Sequence, residues 1–366
     1  MMVVPIFDGH NDSIQFTFLQ KKGKGISILE ESDLGQVSLQ KMKQGGMIGG
    51  FFAIQVPPED IKERRDDFGL HVNENGYYIN LPTPLNQKYA ESFVDRAIES
   101  SLDTIKRSKG SLKLVKKFSD TGITHKNRIS VVLHLEGAEA VMRDLSNIEK
   151  YYNFGIRSIG LFWSRKNIFG SGVQYRFPSS PDIGEGLTEA GKNLVRRCND
   201  LGIVVDLAHI NLQGFWDVVK VSKKPLVVTH TNIYSICASS RNIIDEQIDA
   251  IAKSNGIIGI NFEPITTNPQ GLRLPKGKTL FSVLSDLKNT PISVIADHID
   301  YIVKRAGTDF VGLGADMDGA IMPNELKDAS EYQNIVITMQ KRGYSFETIE
   351  KMCYKNWLRV IGETIG

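Results

Sequence analysis

His10 and Asp12 stand two residues apart, directly after Val3, Val4, Ile6 and Phe7, in the segment VVPIFDGHND. In a strand, residues i and i+2 project from the same face, so the imidazole and the carboxylate point together at the strand's end. That is how two ligands reach one metal ion. The triplet H-x-D is common, and a hydrogen-bonded core or surface histidine has the same spacing, so the metal reading needs partners elsewhere. Candidates recur at the ends of similar apolar runs: Glu136 in ISVVLHLEG, His209 in GIVVDLAH, His230 in PLVVTHT and Asp316 in DFVGLGADMDG.

The elements that must position these residues follow from the pattern. Short β-branched runs near 3–12, 49–56, 129–137, 157–164, 202–209, 225–231, 256–263 and 309–319 predict eight strands. Helical periodicity lies between most of them. In LTEAGKNLVRRCNDLG, Leu194, Val195, Cys198 and Leu201 form an apolar stripe, with Thr188 as cap and Gly202 as stop. In IIDEQIDAIAKSNG, Asp245 is the candidate cap, Ile248, Ile251 and Ala252 point inward, and Gly256 follows the end. Strands alternating with helices mean a parallel sheet, and eight such units suit a (β/α)8 TIM-type barrel over residues 1–366 as a single domain. No G-x-G-x-x-G follows the first strand to favour a dinucleotide-binding sheet, and no linker divides the chain. A barrel requires its chemistry at the C-terminal ends of the strands, where the candidate residues fall.

Composition excludes several other classes. Hydrophobic residues are 41% and charged residues 23%, as in a globular protein with ample core material. The net charge of +2 and the absence of a long basic run name no nucleic-acid or membrane partner, and KKGKG at 21–25 reads as a solvated loop. No apolar run approaches the ~20 residues needed to span a bilayer, and the first residues lack a secretion signal, so a cytoplasmic protein is expected. Cys198, Cys237 and Cys353 are odd in number and widely spaced, which points to buried reduced thiols.

The remaining histidines have plainer readings. His71, His125 and His298 fall in expected loops or helices, with structural or solvent roles. His134, two residues before Glu136, lies deeper along its strand and is expected to be a hydrogen-bonded interior residue.

Taken together, DGHND, HLEG, GLTEAGKNLVRRCNDLGIVVDLAH, THTNIYSICASSRN, ADHIDYI and GLGADMDG resemble, in order, the motifs of the membrane dipeptidase (renal dipeptidase) family, the M19 peptidases of the amidohydrolase superfamily. The resemblance implies a dipeptidase with two Zn2+ ions: His10, Asp12 and Glu136 on one, and Glu136, His209 and His230 on the other, with Glu136 bridging. Imidazoles and carboxylates are ordinary zinc ligands, and two such ions can share a hydroxide that attacks the peptide bond. The motif match makes Asp316 the catalytic carboxylate, although Asp318 is two residues away. Arg241 in SSRN corresponds to the arginine that grips the substrate carboxylate, a task suited to a guanidinium fork. The substrate so implied is a small dipeptide, whose C-terminal residue is of either configuration, and β-lactam-like amides are a weaker extension. The assembly the resemblance implies is a homodimer.

One position departs from the renal pattern. Trp163 stands where the renal enzyme has a histidine thought to polarise the scissile carbonyl, as in bacterial members resembling this chain, and an indole N–H donates one hydrogen bond without becoming cationic. Long connections at 164–187 and 264–290 are expected at the C-terminal face as lids or pocket walls. Two other functions compete. Another amidohydrolase-type reaction, on an amide, a lactone or a deaminase substrate, usually starts from H-x-H with a carboxylated lysine, which this chain lacks. A non-catalytic metal-binding paralogue would normally have lost a ligand, and here every ligand position is filled.

Overall fold

The computed structural model describes residues 3–20, 27–31, 34–59, 69–81, 83–122 and 128–366. All eight expected strands form: β1 (Ile6–Asn11), β2 (Met47–Ile54), β3 (Ile129–Glu136), β4 (Ile156–Gly160), β5 (Val204–Asp206), β6 (Val227–Thr231), β7 (Ile257–Ile260) and β8 (Val311–Leu313). They run parallel in the order β2-β1-β8-β7-β6-β5-β4-β3, and β3 pairs back onto β2 from Gly49↔Ser130 to Ile54↔Leu135, closing a (β/α)8 barrel. A short strand, Leu112–Leu114, adds to the start of β3.

Alternation along the strands divides the barrel into layers. Ile54, Val131, Leu133, Leu135, Val228 and Ile258 belong to the main core shared with the surrounding helices. Phe7, Phe51, Val132, Val204, Val227 and Ile257 belong to a separate interior cluster completed by Trp357. Trp357 comes from the helix Asn356–Ile365 and donates its indole N–H to the Leu313 carbonyl at 3.0 Å. Its ring lies 5.3 Å from that of Phe51. The indole needs glycine at three facing strand positions, Gly9, Gly259 and Gly312, since an added Cβ at each would crowd it. One end of the barrel is therefore filled by apolar side chains, and the polar residues are gathered toward the other.

Helix Glu189–Leu201 follows the expected chemistry: Thr188 Oγ1 accepts from Gly191 N, Gly202 ends it at φ 71°, and Leu194, Val195 and Cys198 are buried with Leu201 partly so. Helix Asp245–Lys253 differs in its caps. Ile244 takes the N-cap position and its N–H donates to Gln247 Oε1 at 3.0 Å. Asp245 instead accepts from Tyr301 and Arg305 of the helix Ile292–Ala306, so its carboxylate is used between helices rather than at its own terminus. The left-handed turn after the helix falls on Asn255 (φ 58°), one residue before Gly256. Ile248 and Ile251 are buried, whereas Ala252 is half-buried.

A small antiparallel sheet joins two connections above the barrel. The hairpin Leu70–Asn73 and Gly76–Ile79, within the β2 to β3 connection, pairs with Arg176–Phe177 from the segment 164–187. Residues of 264–290 support this sheet: Leu272 and Leu287 pack with Tyr77 and Phe177. KKGKG and His125 lie outside the described residues. Cys198, Cys237 and Cys353 are buried thiols. Among the described residues, no helix is long and apolar enough to cross a membrane.

Candidate active site

The strand ends leave the ladder where the candidate residues begin. His209 and Asp316 both take left-handed backbone conformations, at φ 61° and 65°, which turns their side chains out of the β alternation. Such positions are strained for non-glycine residues and are held here by local ties. Asp316 N–H donates to the His10 carbonyl at 2.9 Å, and Asp12 N–H donates to the Met317 carbonyl at 2.8 Å, so β1 and β8 end as a unit.

Five donors converge. His10 Nε2 lies 3.6 Å from Asp12 Oδ2 and 3.8 Å from Glu136 Oε2. The other oxygen of Glu136, Oε1, lies 2.9 Å from His209 Nε2 and 3.9 Å from His230 Nε2. His10 with Asp12 and Glu136, and Glu136 with His209 and His230, thus make two compact groups of possible metal ligands that share Glu136, all buried. A third grouping, His10 with Asp206 and His230, also lies within ligand distance.

The donor set suits divalent cations. Burial first, then Arg241 beside His209 and His10 beside His230, hold the two imidazoles well below the usual range, leaving them neutral with lone pairs to offer. Burial pulls His10 down, but Glu136, Asp12 and Asp316 outweigh it and lift it to about 10, the signature of a site that calls for positive charge. Burial raises Glu136 well above the usual carboxylate range. Neither ring nitrogen of His10 has a hydrogen-bond partner among the described residues, although both are buried.

The ring orientations are fixed from behind. His209 Nδ1 is hydrogen-bonded to Ser164 Oγ at 2.7 Å. His230 Nδ1 is hydrogen-bonded to Thr229 Oγ1 at 3.0 Å, and that hydroxyl donates to Asp206 Oδ2 at 2.7 Å. A hydroxyl that donates to a carboxylate accepts from the imidazole, so His230 keeps its proton on Nδ1 and turns the Nε2 lone pair to the site. His134 is interior and hydrogen-bonded, as expected: its Nδ1 meets Ser158 Oγ at 2.9 Å. His298 is buried in its helix, accepting from Ile233 N–H and donating to the Thr267 carbonyl. His71 is exposed beside Asn80.

Asp316 and Asp318 separate clearly. Asp318 accepts from the backbone N–H groups of Gln36 (2.6 Å) and Val37 (3.2 Å), and is tied to a loop. Asp316 accepts from Asn261 Nδ2 through Oδ2 at 3.0 Å, while its Oδ1 faces His10 Nε2 at 3.9 Å. Burial, with Asp12 adding to it, pushes the Asp316 carboxyl up to about 6.

A cavity of about 290 Å³ opens beside the cluster, lined among others by Asp12, Glu136, Trp163, His209 and Asp316. The segment 164–187 contributes Tyr175 to its wall, as expected of a pocket loop, and the hairpin contributes Ile79. From 264–290 no residue lines it; Glu263, just before that segment, does. Trp163 lies 6.1 Å from the His209 ring and 6.3 Å from Tyr175. It is backed by Arg165, fully buried, which donates to Glu139 Oε1 at 2.7 Å and to the Val56 carbonyl, linking the ends of β2, β3 and β4. Arg241 is 6% exposed, its guanidinium 5.3 Å from the Tyr175 ring, its Nε without a hydrogen-bond partner among the described residues.

Sequence reasoning passed over Asp206, Asn261, Tyr175, Glu263 and the helix Ser13–Gln20, whose Gln15, Phe16 and Leu19 wall the cavity. Asp206, Asn261 and Glu263 were detectable in principle, because each is a polar residue at or just past a strand end. Tyr175 sits in a connection with no periodic signal.

A closed parallel barrel with buried His, Asp and Glu donors at the strand ends defines the class of metal-dependent barrel hydrolases. The family model for membrane dipeptidases (peptidase family M19) matches residues 1–365. Dipeptidase AC, a metallopeptidase, superposes with a TM-score of 0.88 at 32% identity, covering 100% of both chains. A metallopeptidase from Rhodobacter sphaeroides, solved with a phosphinate mimic of the dipeptide L-Ala-D-Ala, superposes with a TM-score of 0.90 at 32% identity, over 99% of this chain and 100% of the other. Dipeptidase aclJ of Aspergillus oryzae is 27% identical over 364 residues, 98% of this chain and 78% of the relative. The chain belongs to the membrane dipeptidase family, peptidase family M19, and is a peptide-bond hydrolase of that family.

Proposed function

We propose that this chain is a dizinc dipeptidase acting on small dipeptides, including those with a C-terminal D-residue. The observation that carries the reading is the division of Glu136, whose two oxygens face two different sets of nitrogen and oxygen donors. His10 and Asp12 would hold one ion, His209 and His230 the other, and Glu136 both. Bound there, zinc would lower the pKa of a water for attack and polarise the scissile carbonyl.

The chain's own groups do the rest. Asp316 takes the proton of the attacking water on Oδ1 and passes it to the departing amine, while Asn261 fixes Oδ2. Arg241 receives the C-terminal carboxylate, a role supported by its burial and its unpartnered Nε. Trp163, in the cavity wall next to His209, would meet the substrate there. The D-configuration rests on the Rhodobacter sphaeroides relative, whose bound mimic is of L-Ala-D-Ala. The buried thiols accord with a reducing cytoplasm.

The test is elemental analysis of zinc-reconstituted protein beside a panel of L,L and L,D dipeptides. Two zinc ions per wild-type chain, loss of the pair in Glu136→Ala and turnover of dipeptides are expected. One metal or fewer per wild-type chain rules out the dinuclear centre. Removing metal should also lower Tm, because ligand present at 100 times its Kd stabilises a native state by about 2.7 kcal/mol.

A further inference from the structure

Glu263 is a cavity carboxylate that the reaction does not use. It lies three residues past the end of β7, and its backbone is fixed: Glu263 N–H donates to Asn261 Oδ1 at 2.7 Å, and its carbonyl accepts from the hydroxyls of Thr266 and Thr267. Among the described residues its carboxylate has no ion-pair partner. Of the other acids at the cavity, Asp12 and Glu136 belong to the metal groups, Asp316 to proton transfer, and Asp318 to two backbone N–H groups. Glu263 alone among these acids is uncommitted.

Its surroundings place it on one side of the scissile bond. Asn261 joins it to Asp316, accepting from Glu263 N–H through Oδ1 and donating to Asp316 Oδ2 through Nδ2 at 3.0 Å, and the charged groups that act on its carboxyl are Asp316 and Arg241. Tyr175, which lines the same cavity as Glu263, lies 5.3 Å from the Arg241 guanidinium. If Arg241 holds the substrate carboxylate, this side of the cavity surrounds the C-terminal residue. A zwitterionic dipeptide has no cation on that side except in a side chain. Burial, with Asp316 adding to it, pushes the Glu263 carboxyl up to about 8 against the opposing pull of Arg241, so its ionised form is costly until a substrate cation adds a second counter-charge.

Resting on the dipeptidase reading, we infer that Glu263 selects dipeptides whose C-terminal residue carries a cationic side chain, such as lysine, ornithine or arginine. The carboxylate forms a charge-assisted hydrogen bond with the side-chain cation while Arg241 keeps the α-carboxylate. A tryptophan and a tyrosine flanking the alkyl stem suit a long side chain with an apolar body and a charged tip.

The experiment compares kcat/KM of the zinc-loaded enzyme on Ala-Lys, Ala-norleucine and Ala-Glu, each with L and D C-terminal residues. Norleucine matches the lysine stem without its charge. The wild type should favour Ala-Lys over Ala-norleucine by about ten- to hundredfold, the range of a hydrogen bond to a charged group. Glu263→Gln should collapse that ratio toward one, and Glu263→Lys should shift preference toward Ala-Glu, a reversal that a merely structural residue would not produce. Equal rates on lysine and norleucine dipeptides in the wild type, or a lysine preference that survives Glu263→Gln, overturn the inference and leave the dipeptidase reading standing. Turnover of no dipeptide overturns both.

Discussion

His209 and His230 bring their Nε2 atoms to 2.9 Å of each other, while the Nδ1 of each is held by a hydroxyl, Ser164 for one and Thr229 for the other. On the dizinc reading, the two Nε2 lone pairs converging beside Glu136 Oε1 would hold one cation between them. The hydroxyls that orient the two rings would then add to the metal affinity. Outer hydrogen bonds of this kind are worth about 10- to 100-fold in metal binding. Thr229→Val should weaken zinc by that factor in a chelator competition, and Thr229→Ser should restore most of it. An unchanged affinity in Thr229→Val would show that the ring needs no help from Asp206.

Asp316 and Asp318 should respond in different currencies. Asp316→Asn should lower kcat by roughly 10²- to 10⁴-fold, as for loss of a general base, with zinc content near normal. Asp318→Asn weakens the ties to Gln36 and Val37 and should cost about 1–3 kcal/mol of stability with a smaller loss of kcat. Steady-state kinetics beside thermal unfolding separates the two; a larger kinetic loss at Asp318 would move the proton transfer by two residues.

For Arg241, the substrate serves as the second partner of a double-mutant cycle. Amidating a good dipeptide, or making Arg241→Ala, should each cost about ten- to hundredfold in kcat/KM, corresponding to roughly 1.5–3 kcal/mol for a hydrogen bond to a charged group. Both changes together should cost little more than one, since each deletes the same interaction. Losses that multiply, or tripeptides cleaved as well as dipeptides, would take Arg241 out of the site.

The pH dependence of stability should carry a mark from His298, which lies far from the metal groups in sequence. Burial first, against a smaller opposing effect of its bond to Thr267, holds this imidazole down to about 4 in the folded chain. An unfolded histidine titrates near 6.5, so between about 6.5 and 4 the unfolded chain binds the extra proton. Stability from this residue is complete above about 6.5 and is lost as the pH falls toward 4, by up to roughly 3 kcal/mol. Urea unfolding of wild type and His298→Gln at pH 7 and pH 4.5 should show a smaller pH loss in the variant; parallel losses would place the acid sensitivity elsewhere.

The barrel was legible because its strands are short β-branched runs with helix signals between them, and a parallel barrel leaves its active residues at strand ends that sequence can mark. Boundaries were less so. The run 202–209 pairs only over Val204–Asp206, because His209 has turned to a left-handed conformation to aim its ring. Asp245 was read as a cap from its local position, yet its partners, Tyr301 and Arg305, are more than fifty residues away. Tyr175 and the hairpin at 70–79 escaped for the same reason, since their meeting depends on two connections folding over the barrel mouth. Local chemistry is written in neighbours; the pocket wall is written in distant pairs.

Trp357 has a consequence for how the chain is made. Gly9, Gly259 and Gly312 leave a seat in three strands that only this indole fills. A nascent chain on the ribosome can lay down β1 early, but the floor beneath it stays hollow until residue 357 has left the exit tunnel. The first strand and the helix Asn356–Ile365 then meet across almost the whole length of the polypeptide, a contact of high loop-closure entropy that slows folding. Until then Phe7 and Phe51 lack the ring that completes their cluster.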